Sequence, residues 1–402
     1  MSLEILLAPA AGLEAALRKS IRRLPFADQP MGFVSAFSGR VLGDHTLRGY
    51  PDLTALAFWM RPAHLKELQV QFEASEKGRI RVPRGLVFHL APANVDTLFA
   101  YSLLLSLLLG NKNIVRLSRR GNLVQEQILT IFRELLSEPD FAVLADDLLV
   151  VRYDHDAEIT TRLSARCDCR IIWGGDRTVQ EISALPLPPT ATEIKFANKW
   201  SLALFDAARL LQLDEAGLVQ LARSFVNDCY WYGQAACSSP RAVFWRGEKP
   251  VVADAQQRFW PSVEAVLQEF DHRLSASDFV NKLTVCCAIA AERECAIPVT
   301  SNNLLNRIEF AEITPDLLEH HCGGGLFLES TIRELTQLRP LLSKQIQTLV
   351  CFGIGTDAIV ELVRSVPLGV DRIVPFGKAL NFDVYWDGYD LLEELTRGIA
   401  IA

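Results

Sequence analysis

The chain has no long run of lysine and arginine, and its formal net charge is −7. Both argue against a nucleic acid partner. Its most apolar run, residues 98–109, falls far short of the roughly 20 residues that a membrane span needs. Glu4 precedes any positive charge, which argues against a signal peptide. No internal repeat and no low-complexity segment is detectable. Cysteine is present nine times, at 167, 169, 229, 237, 286, 287, 295, 322 and 351, but no CxxC pair with matching histidines has a metal-ligand spacing. The count is odd and the placement scattered. Reduced thiols in a soluble, cytoplasmic protein without a metal are therefore expected.

What is present describes an ordered globular chain. Half of the 402 residues are hydrophobic and 22% are charged. That length exceeds what one core usually serves, so two domains are expected. Residues 1–77 read as helices with polar connections, among them 12–23 and 63–75. From 80 the pattern changes to a β-rich run over 80–90, a turn, an almost wholly apolar helix over 97–109 and a second strand over 113–117. Gly110-Asn111 ends that helix. This is a βαβ unit, and it predicts a parallel sheet covered on both faces.

The alternation continues with helices at 125–136, 156–165 and 176–184 and strands at 147–153 and 170–173, which predicts a doubly wound domain. Pro186, Pro188 and Pro189 mark a break near 190–197. Beyond it come a strand at 201–205, a helix at 214–228 with Leu218, Leu221, Ala222, Phe225 and Val226 on one face, a strand at 242–245 and helices at 253–269 and 276–291. The tail from Gly377, rich in Trp, Tyr and Asp, reads as an added arm or interface.

Several residues fit chemistry as well as structure. Cys237 lies in Tyr232-Gly233-Gln234-Ala235-Ala236-Cys237-Ser238-Ser239-Pro240, where small neighbours leave room for a tetrahedral intermediate. A packed, inert thiol fits the same residues. Asn94, in the turn between a strand end and a helix start, suits either an oxyanion donor or a helix cap. Arg116, with Ser118-Arg119-Arg120 beyond it, suits phosphate recognition or a solvated basic turn. Gly174-Gly175-Asp176 joins a strand to a helix, where backbone N–H groups can face a diphosphate and Asp176 can cap. Gly353-Ile354-Gly355-Thr356-Asp357-Ala358 has a dinucleotide-fingerprint spacing, but too little chain follows, and it reads as a turn and helix cap. His89 reads as a hydrogen-bonded core histidine. His320-His321-Cys322-Gly323 reads as surface.

Taken together, the order Asn94, Arg116, Gly174, Cys237 resembles the aldehyde dehydrogenase superfamily. Within it, the chain is similar to the fatty acyl-CoA reductases of bacterial bioluminescence. The resemblance runs through residues 84–95, 110–118, Trp173-Gly174-Gly175-Asp176, Ala236-Cys237-Ser238-Ser239-Pro240 and Asp371-Arg372-Ile373-Val374-Pro375. It implies a nucleotide-binding domain over 1–195, a catalytic domain over 196–376 and a C-terminal oligomerisation arm over 377–402, the first two doubly wound α/β. It implies Cys237 as nucleophile, Asn94 as oxyanion donor, and Arg116, Ser118, Arg119, Gly174 and Gly175 around the cofactor. Arg119 falls where NAD-preferring members often carry a glutamate, so NADPH is expected over NADH.

The resemblance also has gaps. The superfamily's water-activating glutamate is followed by Leu-Gly-Gly, whereas Glu193 is followed by Ile194-Lys195-Phe196. A reductase does not need that base. No clear counterpart of the glutamate that holds the nicotinamide ribose is visible, Glu329 being a poor candidate. The implied reaction is NADPH-dependent reduction of a long-chain acyl-CoA or carrier-bound acyl thioester to an aldehyde. A homo-oligomer, working beside an acyl-activating synthetase, is the implied setting. The rivals are NAD(P)-dependent aldehyde oxidation and a scaffold that keeps the fold without the chemistry.

Overall fold

The computed structural model describes residues 3–9, 12–18, 23–76, 78–92, 95–119, 121–269, 274–300 and 303–401. The chain divides into two compact units, Met1–Ala197 with Phe382–Ala402, and Asn198–Asn381.

The strands of the first unit are β1 (Glu4–Leu7), β2 (Arg79–Pro83), β3 (Leu86–Leu90), β4 (Lys112–Leu117), β5 (Leu148–Arg152), β6 (Cys169–Trp173) and β7 (Thr192–Phe196). Apart from β2 they form one sheet in the order β1-β5-β4-β3-β6-β7, in which only β1 is antiparallel to its neighbour. β3, β4 and β6 are buried at every position, as strands covered on both faces must be. The helix Leu98–Leu108 between β3 and β4 is buried at all eleven positions, so it is apolar all round rather than amphipathic. Gly110 ends it with φ 81°, and a Cβ there would lie 2.6 Å from the Arg23 carbonyl oxygen. The helix read over 12–23 covers only Leu13–Ala16 among the described residues.

The continuous β run expected over 80–90 is two strands. Gly85, at φ 134°, turns the chain between them, and a Cβ there would lie 2.3 Å from Asp168 Oδ2. β3 enters the centre of the sheet. β2 leaves it and pairs antiparallel with a strand from the far end of the chain, Thr396 opposite Pro83 and Ala400 opposite Arg79. The stretch 377–402, expected as one arm, is also divided. Residues up to Asn381 stay with the second unit, while Val384, Leu391, Leu392 and Leu395 are buried in the core of the first.

The second unit holds β8 (Trp200–Asp206), β9 (Pro240–Arg246), β10 (Asn306–Phe310), β11 (Leu326–Ile332), β12 (Ile346–Phe352) and β13 (Arg372–Pro375). All are parallel, in the order β10-β11-β9-β8-β12-β13. Both units are thus α/β with a parallel sheet, as expected. The helix Glu215–Tyr230 buries Leu218, Leu221, Ala222, Phe225 and Val226, the face its periodicity predicts. Four of the six strands come from 306–375, where the sequence pattern shows only the apolar strand before Gly353. Gly353 (φ 75°) turns the chain out of β12 and Gly355 is the N-cap of the helix Thr356–Ser365, so that motif is a turn and cap.

His89 is a core residue on β3. Its Nε2 donates to Asn113 Oδ1 at 3.0 Å and its Nδ1 accepts from the Ser102 hydroxyl at 2.8 Å. Burial lowers its pKa to about 4, against a smaller opposing effect of the Asn113 bond. An unfolded histidine titrates near 6.5, so the stability that neutral His89 confers is complete above that pH. It is lost as the pH falls toward 4, at up to ~1.4 kcal/mol per pH unit. A His89→Gln variant should lack this slope. Urea midpoints of both proteins at pH 7 and pH 5 check it, and a gap that does not change with pH would refute it.

Candidate functional site

The turn that carries Cys237 begins where the helix Glu215–Tyr230 ends. Three consecutive residues, Tyr232, Gly233 and Gln234, take left-handed φ of 61°, 58° and 63°. For a side-chain-bearing residue this costs roughly 1–2 kcal/mol, so something must hold Tyr232 and Gln234 there. Opposite them Gly323, Gly324 and Gly325 are also left-handed, at 76°, 68° and 82°. The Gly324 N–H donates to the Gly233 carbonyl at 2.8 Å. The Gln234 carboxamide is buried and bridges the two segments. Its Oε1 accepts from the Gly325 N–H at 2.8 Å, and its Nε2 donates to the carbonyls of Pro240 at 2.8 Å and Leu326 at 3.0 Å. Side chains cannot replace two of these glycines, since a Cβ on Gly323 would lie 2.7 Å from the Gly233 oxygen and one on Gly325 2.1 Å from the Leu304 oxygen.

Cys237 is half-buried just before β9. Its carbonyl accepts from Ser201 Oγ at 2.7 Å. The Ser239 hydroxyl donates to the Asp228 carbonyl at 2.7 Å. The Asp228 carboxylate accepts from the Gly377 and Ala379 N–H groups at 2.7 and 3.0 Å, and burial pushes its pKa up to about 7. The segment after β13 is thereby tied to the helix that leads into the thiol turn. Cys167, Cys169 and Cys229 are buried, and burial pushes Cys169 up to about 11 and the half-buried Cys351 up to about 12. None of the nine is in a disulfide.

His320 is exposed, as expected. His321 is half-buried rather than a surface residue, because its ring braces the glycine turn. Its Nε2 donates to the Leu326 carbonyl at 2.7 Å and its Nδ1 accepts from the Gly323 N–H at 3.1 Å. Burial, and then the Arg241 charge, lower its pKa to about 3, so it stays neutral. Among the described residues no group of three or more His, Cys, Asp or Glu side chains is arranged to hold a metal ion.

In the first unit the sheet order reverses at β3, whose chain neighbour β4 lies on one side and β6 on the other. Ligands of open α/β sheets bind outside the carboxyl ends of the strands at such a point. Asn94 belongs to the loop after β3 but lies outside the described residues. Gly174 and Gly175 follow β6, and Gly175 is the N-cap of the helix Asp176–Ser183. A Cβ on Gly174 would lie 3.0 Å from Thr178 Cγ2.

Arg116 lies within β4 and is buried. Its Nε donates to the Tyr153 carbonyl at 3.2 Å, its guanidinium lies 5.3 Å from the Tyr153 ring centre, and burial lowers its pKa. A solvated basic turn is therefore not its setting. Arg119 is exposed at the end of β4, with Nε 3.4 Å from Asp154 Oδ2. Ser118 Oγ and Trp173 Nε1 are buried without a hydrogen-bond partner. They stand at the carboxyl ends of β4 and β6, and orphaned polar atoms of this kind fit a polar ligand.

Two glutamates have structural partners. Glu193 accepts from Arg170 Nε at 2.6 Å and Ser183 Oγ at 2.9 Å and pairs with Lys195. Burial alone would raise its pKa, but Lys195, Arg170 and Ser183 hold it net below the usual carboxylate range. Glu329 is fully buried and accepts from Trp245 Nε1 at 2.8 Å, Trp260 Nε1 at 2.9 Å and Arg307 Nη1 at 2.9 Å.

Sequence reasoning missed Gln234 and the three glycines as parts of the thiol turn. The run Gly323-Gly324-Gly325 is itself a local signal of left-handed backbone. What it packs against is not legible locally.

The fold is that of the aldehyde dehydrogenases. A putative aldehyde dehydrogenase from Burkholderia cenocepacia superposes with a TM-score of 0.67 at 14% identity, covering 96% of this chain and 90% of that one. Aldehyde dehydrogenase 21 from Physcomitrella patens gives 0.68 at 11% identity, covering 93% and 85%. More narrowly, the chain belongs to the acyl-CoA reductase (LuxC) family, whose sequence model matches residues 60–273. It is 24% identical over 168 residues to a long-chain acyl-protein thioester reductase from Aliivibrio fischeri, and 25% identical over 169 to one from Vibrio harveyi. These matches cover 41% and 42% of this chain and 33% of each relative, so the chain spans about a third of the length of the relatives it matches. Fold and family together imply a nicotinamide cofactor. No helix among the described residues is long and apolar enough to cross a membrane.

The Gln234 bridge has a measurable consequence. Gln234→Leu would strand the Gly325 N–H and the Pro240 carbonyl, the Leu326 carbonyl keeping its bond from His321, at about 1–3 kcal/mol for each group left buried and unpaired. Urea unfolding should show a loss of at least ~2 kcal/mol. A change within about 0.5 kcal/mol, the range of ordinary surface substitutions, would rule the bridge out as a support of the turn.

Proposed function

We propose that the protein reduces a long-chain acyl thioester to an aldehyde through an acyl-enzyme on Cys237. The observation that carries this reading is the thiol turn, where Cys237 stands half-buried three residues beyond a braced left-handed bend, while burial raises the Cys169 and Cys351 thiols. The Cys237 thiolate attacks the acyl carbonyl and the carrier thiol leaves. The Cys237 backbone N–H and the Asn94 amide donate to the developing oxyanion, a contribution of roughly 2.7–4 kcal/mol per donor in known cases. A reduced nicotinamide, when bound, would supply the hydride that reduces the acyl group. The hemithioacetal that results on Cys237 breaks its C–S bond, releasing the aldehyde and restoring the thiol.

Ser118, Arg119, Gly174 and Gly175 would hold the cofactor, with Arg116 behind them bracing the end of β4. Ser118 Oγ lacks any other partner, and Arg119 stands exposed where a 2′-phosphate would need a charge. This favours NADPH. Glu193 is engaged by Arg170, Ser183 and Lys195. A carboxylate held in this way is a poor activator of water, which supports reduction over oxidative hydrolysis of the acyl-enzyme.

Incubation with radiolabelled acyl-CoA should label the wild-type protein and leave Cys237→Ala unlabelled, with loss of NADPH-dependent aldehyde formation. Label retained by the variant would move the nucleophile elsewhere. Replacing Arg119 by Ala should raise the KM for NADPH about ten- to a hundredfold, from ~1.5–3 kcal/mol for a hydrogen bond to a charged group, and leave the KM for NADH nearly unchanged. Equal effects on both cofactors would remove Arg119 from the 2′-phosphate.

A further inference from the structure

Residues 376–381 carry the chain out of β13 and are the last of the second unit. Phe376 and Ala379 are buried in the same core as the inner face of the helix Glu215–Tyr230, and Phe376 stacks on Phe205 of β8 with ring centres 4.5 Å apart. Gly377, between them, is left-handed at φ 83°, and a Cβ there would lie 3.1 Å from Ser224 Oγ on that helix. The polar backbone of the segment is held from two sides. Asp228, one turn beyond Ser224, takes the Gly377 N–H at 2.7 Å on one carboxylate oxygen and the Ala379 N–H at 3.0 Å on the other. Arg372 of β13 donates to the carbonyls of Lys378 and Ala379, each at 2.7 Å, and of Asn381 at 3.2 Å. Both backbone groups of Ala379 are thus caught, one by an anion and the other by a cation.

Asp228 has a second attachment. Its own carbonyl accepts from the hydroxyl of Ser239, two residues beyond Cys237, at 2.7 Å. That bond closes the loop 228–239, and Ser201 Oγ fixes the Cys237 carbonyl within it. One residue therefore joins the exit segment, through its side chain, to the strand start that carries the thiol, through its main chain. A carboxylate suits two N–H donors, whereas protonation turns one of its oxygens into a donor that faces an N–H and weakens the clasp. The charged and titratable groups around Asp228 are the Arg372 guanidinium from β13, the Lys378 ammonium from the segment itself and the Cys229 thiol on its own helix. Burial raises its pKa to about 7, against the two backbone bonds and both cations.

We propose that ionised Asp228 is a positioning residue for Cys237: with Arg372 it clasps residues 377–381 to the end of the helix, and through Ser239 that clasp steadies the thiol turn, which loosens when the carboxyl takes up a proton. Arg372 thereby gains a role in the run Asp371-Arg372-Ile373-Val374-Pro375, which the reduction itself leaves unused. The effect on catalysis rests on Cys237 being the nucleophile. The clasp does not.

Amide hydrogen exchange of the full chain, read by mass spectrometry and corrected for its intrinsic pH dependence, is the test. Near pH 8, Asp228→Asn should exchange 377–379 and 231–239 at least about tenfold faster than wild type, as loss of a hydrogen bond to a charged group implies. Near pH 6 the two proteins should converge, because wild-type Asp228 is then largely protonated. Aldehyde formation should follow the same course, with kcat lowered near pH 8 and KM nearly unchanged. Ser239→Ala cuts the link but leaves the clasp, so it should speed exchange in 231–239 and leave 377–379 as in wild type. A ratio of variant to wild-type rates that does not change with pH, or a Ser239→Ala protein whose 231–239 exchanges as in wild type, overturns the proposal. If thermal melting shows that Asp228→Asn does not fold, the wild-type pH dependence and Ser239→Ala decide. Exchange that behaves as stated in a protein that takes no acyl group on Cys237 refutes the nucleophile and keeps the clasp.

Discussion

The thiol turn depends on one buried carboxamide. Gln234 satisfies the Gly325 N–H and the carbonyls of Pro240 and Leu326 at once, so it closes the turn on itself and fastens it to the glycine run before β11. A chain left to its own preferences would not place Tyr232 and Gln234 in left-handed conformations. The hydrogen bonds that Gln234 makes in the interior offset that strain, because the Gly325 N–H would otherwise be buried and unpaired. Three glycines on the facing segment let backbone approach backbone. The result is a rigid seat for the residues just before β9.

Rigidity matters because of what surrounds the seat. His321 is drawn into bracing the glycines and loses both ring nitrogens to that task. Arg241, four residues beyond Cys237, donates to the Leu318 carbonyl and lies over the Trp200 ring.

The first unit follows a different logic, in which the sheet order does most of the positioning. With β3 central and β4 and β6 on either side, the carboxyl ends of three parallel strands converge on one edge, and Ser118, Trp173 and Gly174 stand there. Arg116 braces this edge from within through the Tyr153 carbonyl, while Arg119 extends beyond it. The unpartnered Ser118 hydroxyl and Trp173 indole N–H are buried polar groups of the kind that fit a polar ligand.

Much of the architecture was readable from residue order alone. The apolar helix Leu98–Leu108, its end at Gly110, the buried face of Glu215–Tyr230 and the capping role of Gly355 are all local matters of period and end signal. Cys237 stood out for its small neighbours, and His89 was correctly read as a core residue. The bend at Gly85 was not legible, because β2 and β3 share one continuous β-rich pattern. It takes Asp168, crowding the Cα of Gly85, and the distant partner of β2 to divide them.

By itself, then, the residue order determined the α/β class, the two-part organisation and which cysteine to suspect. Only the tertiary structure decided what surrounds that cysteine. The Gln234–Gly325 bond joins residues 91 positions apart, and His321 was read as surface because its partners lie in a turn that its own neighbours do not predict. Local pattern reports the period of burial along one element. It carries no record of which two loops will share a hydrogen bond, because that choice belongs to sheet order and to the need to satisfy buried backbone groups across it.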